Sequence, residues 1–296
     1  MDPDNIYADP RTSEVADDFT IDQDWQSYTV EQHETWDILY ERQLTCLPGL
    51  ACDEFMDGLK ALNLGAGGIP DFAKINKKLK KLTGWEVVAV PCLVPDDVFF
   101  EHLANRRFPA GNFIRERKQL EYIQEPDVFH DVFGHVPMLT NPVFADYMEA
   151  YGKGGMRSAG FDRLKALASL YWYTVEFGLI NTPKGMRIYG AGIVSSRTES
   201  IFSLQARSPN RIHFDLERLM RSDYKIDDFQ ATYFVISSFD ELFKATVDTD
   251  FGPLYERLNP CFDYTATAVL ENDRVYTRGT QEYGRAGGRK RGIKAV

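Results

Sequence analysis

Two of the chain's five histidines, His130 and His135, fall within six residues of each other, in the segment PDVFHDVFGHVP from Pro126 to Pro137. Imidazoles so close together at the end of a helix can converge on one point and hold a metal ion. The spacing is not the HExxH of zinc proteases. Five residues separate the pair rather than four, and the first histidine is followed by Asp131 instead of the general-base Glu. A third ligand has to come from another segment, and Glu176 is the best candidate. It sits in the apolar run LASLYWYTVEFGLI, among Tyr171, Trp172, Tyr173, Val175, Phe177 and Leu179. A carboxylate there is costly to bury unless a cation pairs with it. Two histidines and one carboxylate with open coordination positions form the facial triad of non-haem Fe(II) oxygenases. Zinc held by the same three side chains and a water is the competing assignment. A third reading has no metal: His130 and His135 as hydrogen-bonded core residues, and Glu176 paired with an arginine such as Arg187.

The composition narrows the rest. With 34 Lys and Arg against 44 Asp and Glu, the net charge is −10, and 44 % of the 296 residues are hydrophobic. An acidic chain is poorly suited to wrapping a phosphate backbone, so no nucleic-acid partner is expected. No apolar run reaches the ~18 residues of a membrane-spanning helix, and the acidic N-terminus MDPDNIYADP is unlike a secretory signal. Cys46, Cys52, Cys92 and Cys261 form no CxxC pair, which predicts reduced thiols in a cytoplasmic protein.

The elements that must position these residues are mostly helices. Thr29, with Gln32 three residues on, marks a capped start for a helix through Trp36 and Tyr40. Further helices are predicted over 51–62, 70–82, from Asp96 onward, 127–136, 144–151 and 161–178. WEVVAVPCLV, from Trp85 to Val94, predicts a buried strand, with short strands at 186–189 and 233–236. No βαβ alternation and no internal repeat is evident. The expected fold is mainly α with a small β component. Residues 1–25, with eight acids and one Arg, predict a flexible acidic arm before a catalytic domain over 26–260. An unstructured basic tail is expected over 261–296, where the last 23 residues carry seven Lys or Arg. No heptad pattern follows Leu258, so a monomer is expected.

EPDVFHDVFGHVP, YWYTVEFGL and YGAGIVSS resemble, nearly letter for letter and in the same order, the catalytic domain of the pterin-dependent aromatic amino acid hydroxylases. The resemblance runs from about Tyr28 to about Leu258 and is closest to the short bacterial single-domain form. It implies hydroxylation of L-phenylalanine to L-tyrosine, with O2 as co-substrate and a tetrahydropterin (tetrahydrobiopterin or a bacterial analogue) as cofactor. Tyrosine or tryptophan hydroxylation within the same family is the alternative; a zinc hydrolase or a non-catalytic binding protein would be a different class. The resemblance implies that His130, His135 and Glu176 are ligands of a mononuclear Fe(II), so that no side chain need act as nucleophile or base. It assigns the pterin to Val90, Cys92, Leu93, Val94, Phe99 and Asp131, with Cys92 where relatives often have Gly and Asp131 where many have Glu. It assigns the substrate to Arg115, Ile123, Tyr171, Trp172, Gly192 and Ser195. Arg115 would take the carboxylate, Trp172 would line the ring pocket, and Gly192 would permit close approach. From the residues alone, Arg115 in the run RERK reads better as a surface arginine.

Overall fold

Thr29 accepts a hydrogen bond from the Gln32 N–H, and Gln32 Oε1 accepts one from the Thr29 N–H, so both ends of the capping box predicted for helix α1 (Val30–Cys46) are closed. A computed structural model describes residues 15–285 apart from 122, 124 and 159. It divides into two units: residues up to Pro48 together with Asp53–Arg157, and Gly49–Cys52 together with the chain from Ser158.

In the first unit α1 is followed by α2 (Asp53–Leu62) and α3 (Phe72–Thr83). Asp71 caps the start of α3, and Gly84 ends it at φ +79°, a conformation that costs glycine nothing. Strand β1 (Glu86–Val90), helix α4 (Asp96–Ala104) and strand β2 (Arg107–Gly111) form a parallel βαβ unit, registered from Glu86 opposite Arg107 to Val90 opposite Gly111. This corrects the expectation that no such alternation exists. β2 pairs on one side only, and an edge strand of this kind tolerates Pro109. The unit closes with a π-helical turn, Phe129–His135, and the long helix α5 (Pro142–Ser158). Trp36, Phe55 and Phe133 are fully buried here, with Trp36 edge-on to Phe129 and Phe129 stacked on Phe133.

The second unit begins with α6 (Leu164–Tyr171), which continues directly into another π-helical turn, Trp172–Glu176. Its sheet contains β3 (Leu179–Thr182), β4 (Gly185–Ile188), β5 (Asn210–His213), β6 (Thr232–Ile236) and β7 (Val275–Thr277), in the order β4-β3-β6-β5-β7. Central β6 is parallel to both neighbours and buried along its whole length. Helices α7 (Ala191–Val194), α8 (Arg197–Gln205), α9 (Leu216–Met220), α10 (Phe239–Val247), α11 (Phe251–Arg257) and α12 (Glu282–Arg285) complete it. The fold is mainly α with a small β component, as the sequence implies.

Both expected terminal segments carry structure where they are described. Residues 1–14 of the expected arm and 286–296 of the expected tail lie outside the described residues. Residues 15–25 are tied to the first unit: the Ile21 N–H bonds the Ala89 carbonyl, and buried Gln23 spans the Pro70 carbonyl and the Phe72 N–H. In the expected tail, β7 is an antiparallel edge strand on β5, and Asp273 pairs with Arg218. Charge counts conceal both attachments, because they are made by backbone groups, the buried Gln23 side chain and single ion pairs such as Asp273 with Arg218.

Candidate metal and substrate site

Across five residues of an ordinary α-helix, side chains diverge by roughly 140°. A π-turn instead bonds residue i to i+5, so His130 and His135 lie on one face. Their Nε2 atoms are 3.2 Å apart, and with an Asp131 carboxylate oxygen they form a cluster within 4.8 Å. Two nitrogens at that separation can both bind one cation at ~2.1 Å, with an angle of roughly 100° between them. The pair therefore fits a metal, and its geometry admits iron and zinc alike. The His135 ring packs on Phe108 at 4.8 Å, and Phe129 and Phe133 wall the turn in apolar surroundings. The Gly111 N–H at the end of β2 donates to Asp131 Oδ2 at 2.8 Å. Burial pushes the Asp131 carboxyl up to about 6, against the opposing pull of His130 and the Gly111 N–H.

Arg115 is 7 % exposed, so it is not the surface residue that its run of charges suggests. Its Nε and Nη2 donate to the two oxygens of Asp127, each at 2.8 Å, and Asp127 is wholly buried. Asp127 also accepts the backbone N–H groups of Arg115 and His130. Burial alone would raise the Asp127 pKa, but the Arg115 bonds and charge outweigh it and hold the carboxyl below its usual range. One carboxylate thus orients both Arg115 and the start of the histidine turn. Sequence reasoning missed Asp127; its one signal is a second acid just before His130.

The segment assigned to a pterin runs off β1. Val90 is buried at the strand end, and its carbonyl accepts the Asn112 N–H. Cys92 and Val94 are half-buried, Leu93 is exposed, and Phe99 stands half-buried in the first turn of α4, edge-on to Phe100. Burial, with the Glu125 charge, pushes the Cys92 thiol up. Ile123 is half-buried in the loop before Asp127.

In the second unit, Glu176 ends the π-turn that Trp172 begins, both half-buried, with Tyr171 just before it. The YGAGIVSS loop packs tightly against this turn. A Cβ on Gly190 would lie 2.4 Å from the Glu176 carbonyl oxygen, and one on Gly192 would lie 2.9 Å from Phe177 Cζ and 3.1 Å from Glu176 Oε2. Only glycine allows that approach. Ser195 Oγ is turned back onto the Ala191 carbonyl at 2.7 Å, and Arg187 Nη1 donates to the Met186 carbonyl. The Trp172 ring stacks on Tyr224 and packs at a tilt against Phe177, and its indole N–H donates to Gln230. Neither Tyr224 nor Gln230 is marked by any local motif.

The family model of the biopterin-dependent aromatic amino acid hydroxylases matches residues 4–264, which spans nearly all of the first unit and the second as far as Tyr264. The chain belongs to this family. Among members of the hydroxylase family, the phenylalanine-4-hydroxylase of Caulobacter vibrioides is 66 % identical over 278 residues, covering 94 % of each chain. A crystal structure of the Chromobacterium violaceum phenylalanine hydroxylase bound to iron and phenylalanine is 58 % identical, with a TM-score of 0.84 over 88 % of this chain and 94 % of that one. The same enzyme bound to cobalt is 60 % identical, with a TM-score of 0.87 over 89 % of this chain and 95 % of that one.

Proposed function

We propose that this hydroxylase is a phenylalanine 4-monooxygenase, converting L-phenylalanine to L-tyrosine with O2 and a tetrahydropterin at a mononuclear Fe(II). The observation that carries the reading is the convergence of His130 and His135 Nε2, 3.2 Å apart, in a chain 58 % identical to a hydroxylase crystallised with iron and phenylalanine. Glu176 completes the ligand set as the carboxylate that the resemblance to the hydroxylases assigns to the facial triad. Iron, together with the reduced pterin, would supply the activation of O2.

The chain's own residues bind and orient. Asp127 fixes the plane of the Arg115 guanidinium on its Nε–Nη2 edge, and the remaining Nη1 edge suits a substrate carboxylate. Trp172, Tyr171 and the Gly192–Ser195 loop line the aromatic ring, while Ile123 adds apolar cover. Val90, Cys92, Leu93 and Val94 offer extended backbone to the amide-like edge of a pterin, Phe99 a stacking face, and Asp131 a polar contact. An apolar ring pocket suits phenyl over phenol, because a buried hydroxyl needs a partner. Four free cysteines accord with a reducing cytoplasm. We also infer a monomer, since no heptad repeat follows Leu258.

The test is one aerobic assay. Apo-protein, L-phenylalanine and a tetrahydropterin are combined with Fe(II) or Zn(II), and tyrosine is measured. Tyrosine that depends on both Fe(II) and pterin is the expected result. Faster turnover of tyrosine or tryptophan would reassign the substrate, and pterin-independent hydrolysis with zinc would reassign the class.

A further inference from the structure

Trp172 is held by a side chain 58 residues further along the chain: its Nε1–H donates to Gln230 Oε1 at 3.0 Å. The indole is packed by Tyr224, stacked at 4.7 Å and 23°, and by Phe177 at 4.8 Å and 36°. Gln230 is 1 % exposed. A side-chain amide has two donors and two acceptor lone pairs, and this one uses them all. Oε1 also accepts the Lys225 N–H at 3.4 Å, and Nε2 donates to the carbonyls of Lys225 at 2.7 Å and Asp228 at 3.3 Å. The Gln230 backbone N–H in turn donates to Glu199 Oε1 at 3.3 Å. Glu199, buried on α8, also accepts the hydroxyl of buried Tyr233.

One amide thus grips the indole and the loop that stacks on it. Rotating the indole by half a turn about its Cβ–Cγ bond would carry Nε1 away from Oε1 and leave that buried acceptor only the longer 3.4 Å bond from the Lys225 N–H, which favours a single ring orientation. Releasing Nε2 would free the Lys225 and Asp228 carbonyls and, with them, the backbone that carries Tyr224.

We propose that Gln230 is a positioning residue for the aromatic substrate: it sets the plane of Trp172 and ties down residues 224–228, so that the ring pocket is formed before substrate arrives. The proposal rests on Trp172 lining that pocket, as argued under the proposed function. Preorganisation of this kind shows in substrate binding, because a wall that must order itself on binding costs affinity.

The experiment pairs Gln230→Met, which keeps the shape and removes the amide, with Trp172→Phe, which removes the indole donor. In the wild-type background Gln230→Met is expected to raise KM for phenylalanine about tenfold with kcat changed less than about twofold. In the Trp172→Phe background the same exchange is expected to change KM less than about twofold. Equal losses in both backgrounds, or no loss in the first, overturn the proposal. A second readout needs no turnover. In 5-fluorotryptophan protein, the resonance lost in Trp172→Phe should shift or broaden in Gln230→Met, while those of Trp25, Trp36 and Trp85 stay in place. An unmoved Trp172 resonance refutes the tether even if the chain makes no tyrosine. Absence of tyrosine from the wild-type enzyme sinks the functional reading alone.

Discussion

At the residue scale, two carboxylates do different work. Glu176→Ala is expected to abolish stoichiometric iron and nearly all tyrosine formation. The fold should survive, because a half-buried carboxylate is removed together with the charge it needs. Metal content by atomic emission, measured alongside circular dichroism, checks this; a variant that retains iron and activity rules out Glu176 as a ligand. Asp127→Asn leaves Arg115 buried against a neutral partner. Breaking one side of a buried ion pair costs about 3–5 kcal/mol, which urea unfolding would read as a lower midpoint. The same variant should raise KM for phenylalanine, since the guanidinium loses the partner that orients it. A midpoint unchanged from wild type would show that the pair adds nothing to stability.

At the element scale, the first of two π-turns puts histidines five residues apart on one face, and the second ends on Glu176. Each turn sits where an α-helical reading of the sequence expects unbroken helix. The YGAG loop then presses on the second turn. Gly192→Ala would place a methyl group within contact distance of both Phe177 and the Glu176 carboxylate, and overpacking of this kind costs about 1–3 kcal/mol. The expected outcome is iron affinity reduced by about tenfold or more, with a Tm drop of only a few degrees, because the strain falls on the carboxylate. Iron titration and thermal melts decide it, and unchanged affinity would mean that the loop does not place Glu176.

At the scale of the whole molecule, the acidic segment before α1 is part of the fold. His102, on α4, is fully buried and its Nε2 meets the Asp18 carbonyl oxygen, while Asp18 also pairs with Arg107. Burial lowers the His102 pKa below 6.5 despite that bond and the nearby Asp18 and Glu101 charges; Arg107 pushes the same way as burial. The unfolded chain therefore takes up this proton first. Stability from His102 is complete above pH ~6.5 and is lost as the pH falls toward the lower folded value. Melting temperatures at about pH 7.5 and about pH 5.5 should show a smaller acid loss for His102→Gln, which cannot titrate, than for wild type. Equal losses in the two proteins would place the acid sensitivity elsewhere.

Much of this was legible in the residues. Caps at Thr29 and Asp71, the glycine end of α3, the strand before Pro91, the histidine pair and the apolar setting of Glu176 are local patterns, and local patterns follow from propensity and periodicity. The sequence by itself determined the family and named the candidate groups, since donor types and spacing point to a metal-binding His/His/Glu set and the resemblance implies a pterin strand from Val90. Only the tertiary structure decided how those groups are held. The βαβ unit, the edge strand β7, the burial of Arg115 on Asp127 and the grip of Gln230 on Trp172 each join residues from separate segments. Such pairings are set by packing and by the need to satisfy buried polar groups, and neither leaves a periodic trace in the chain.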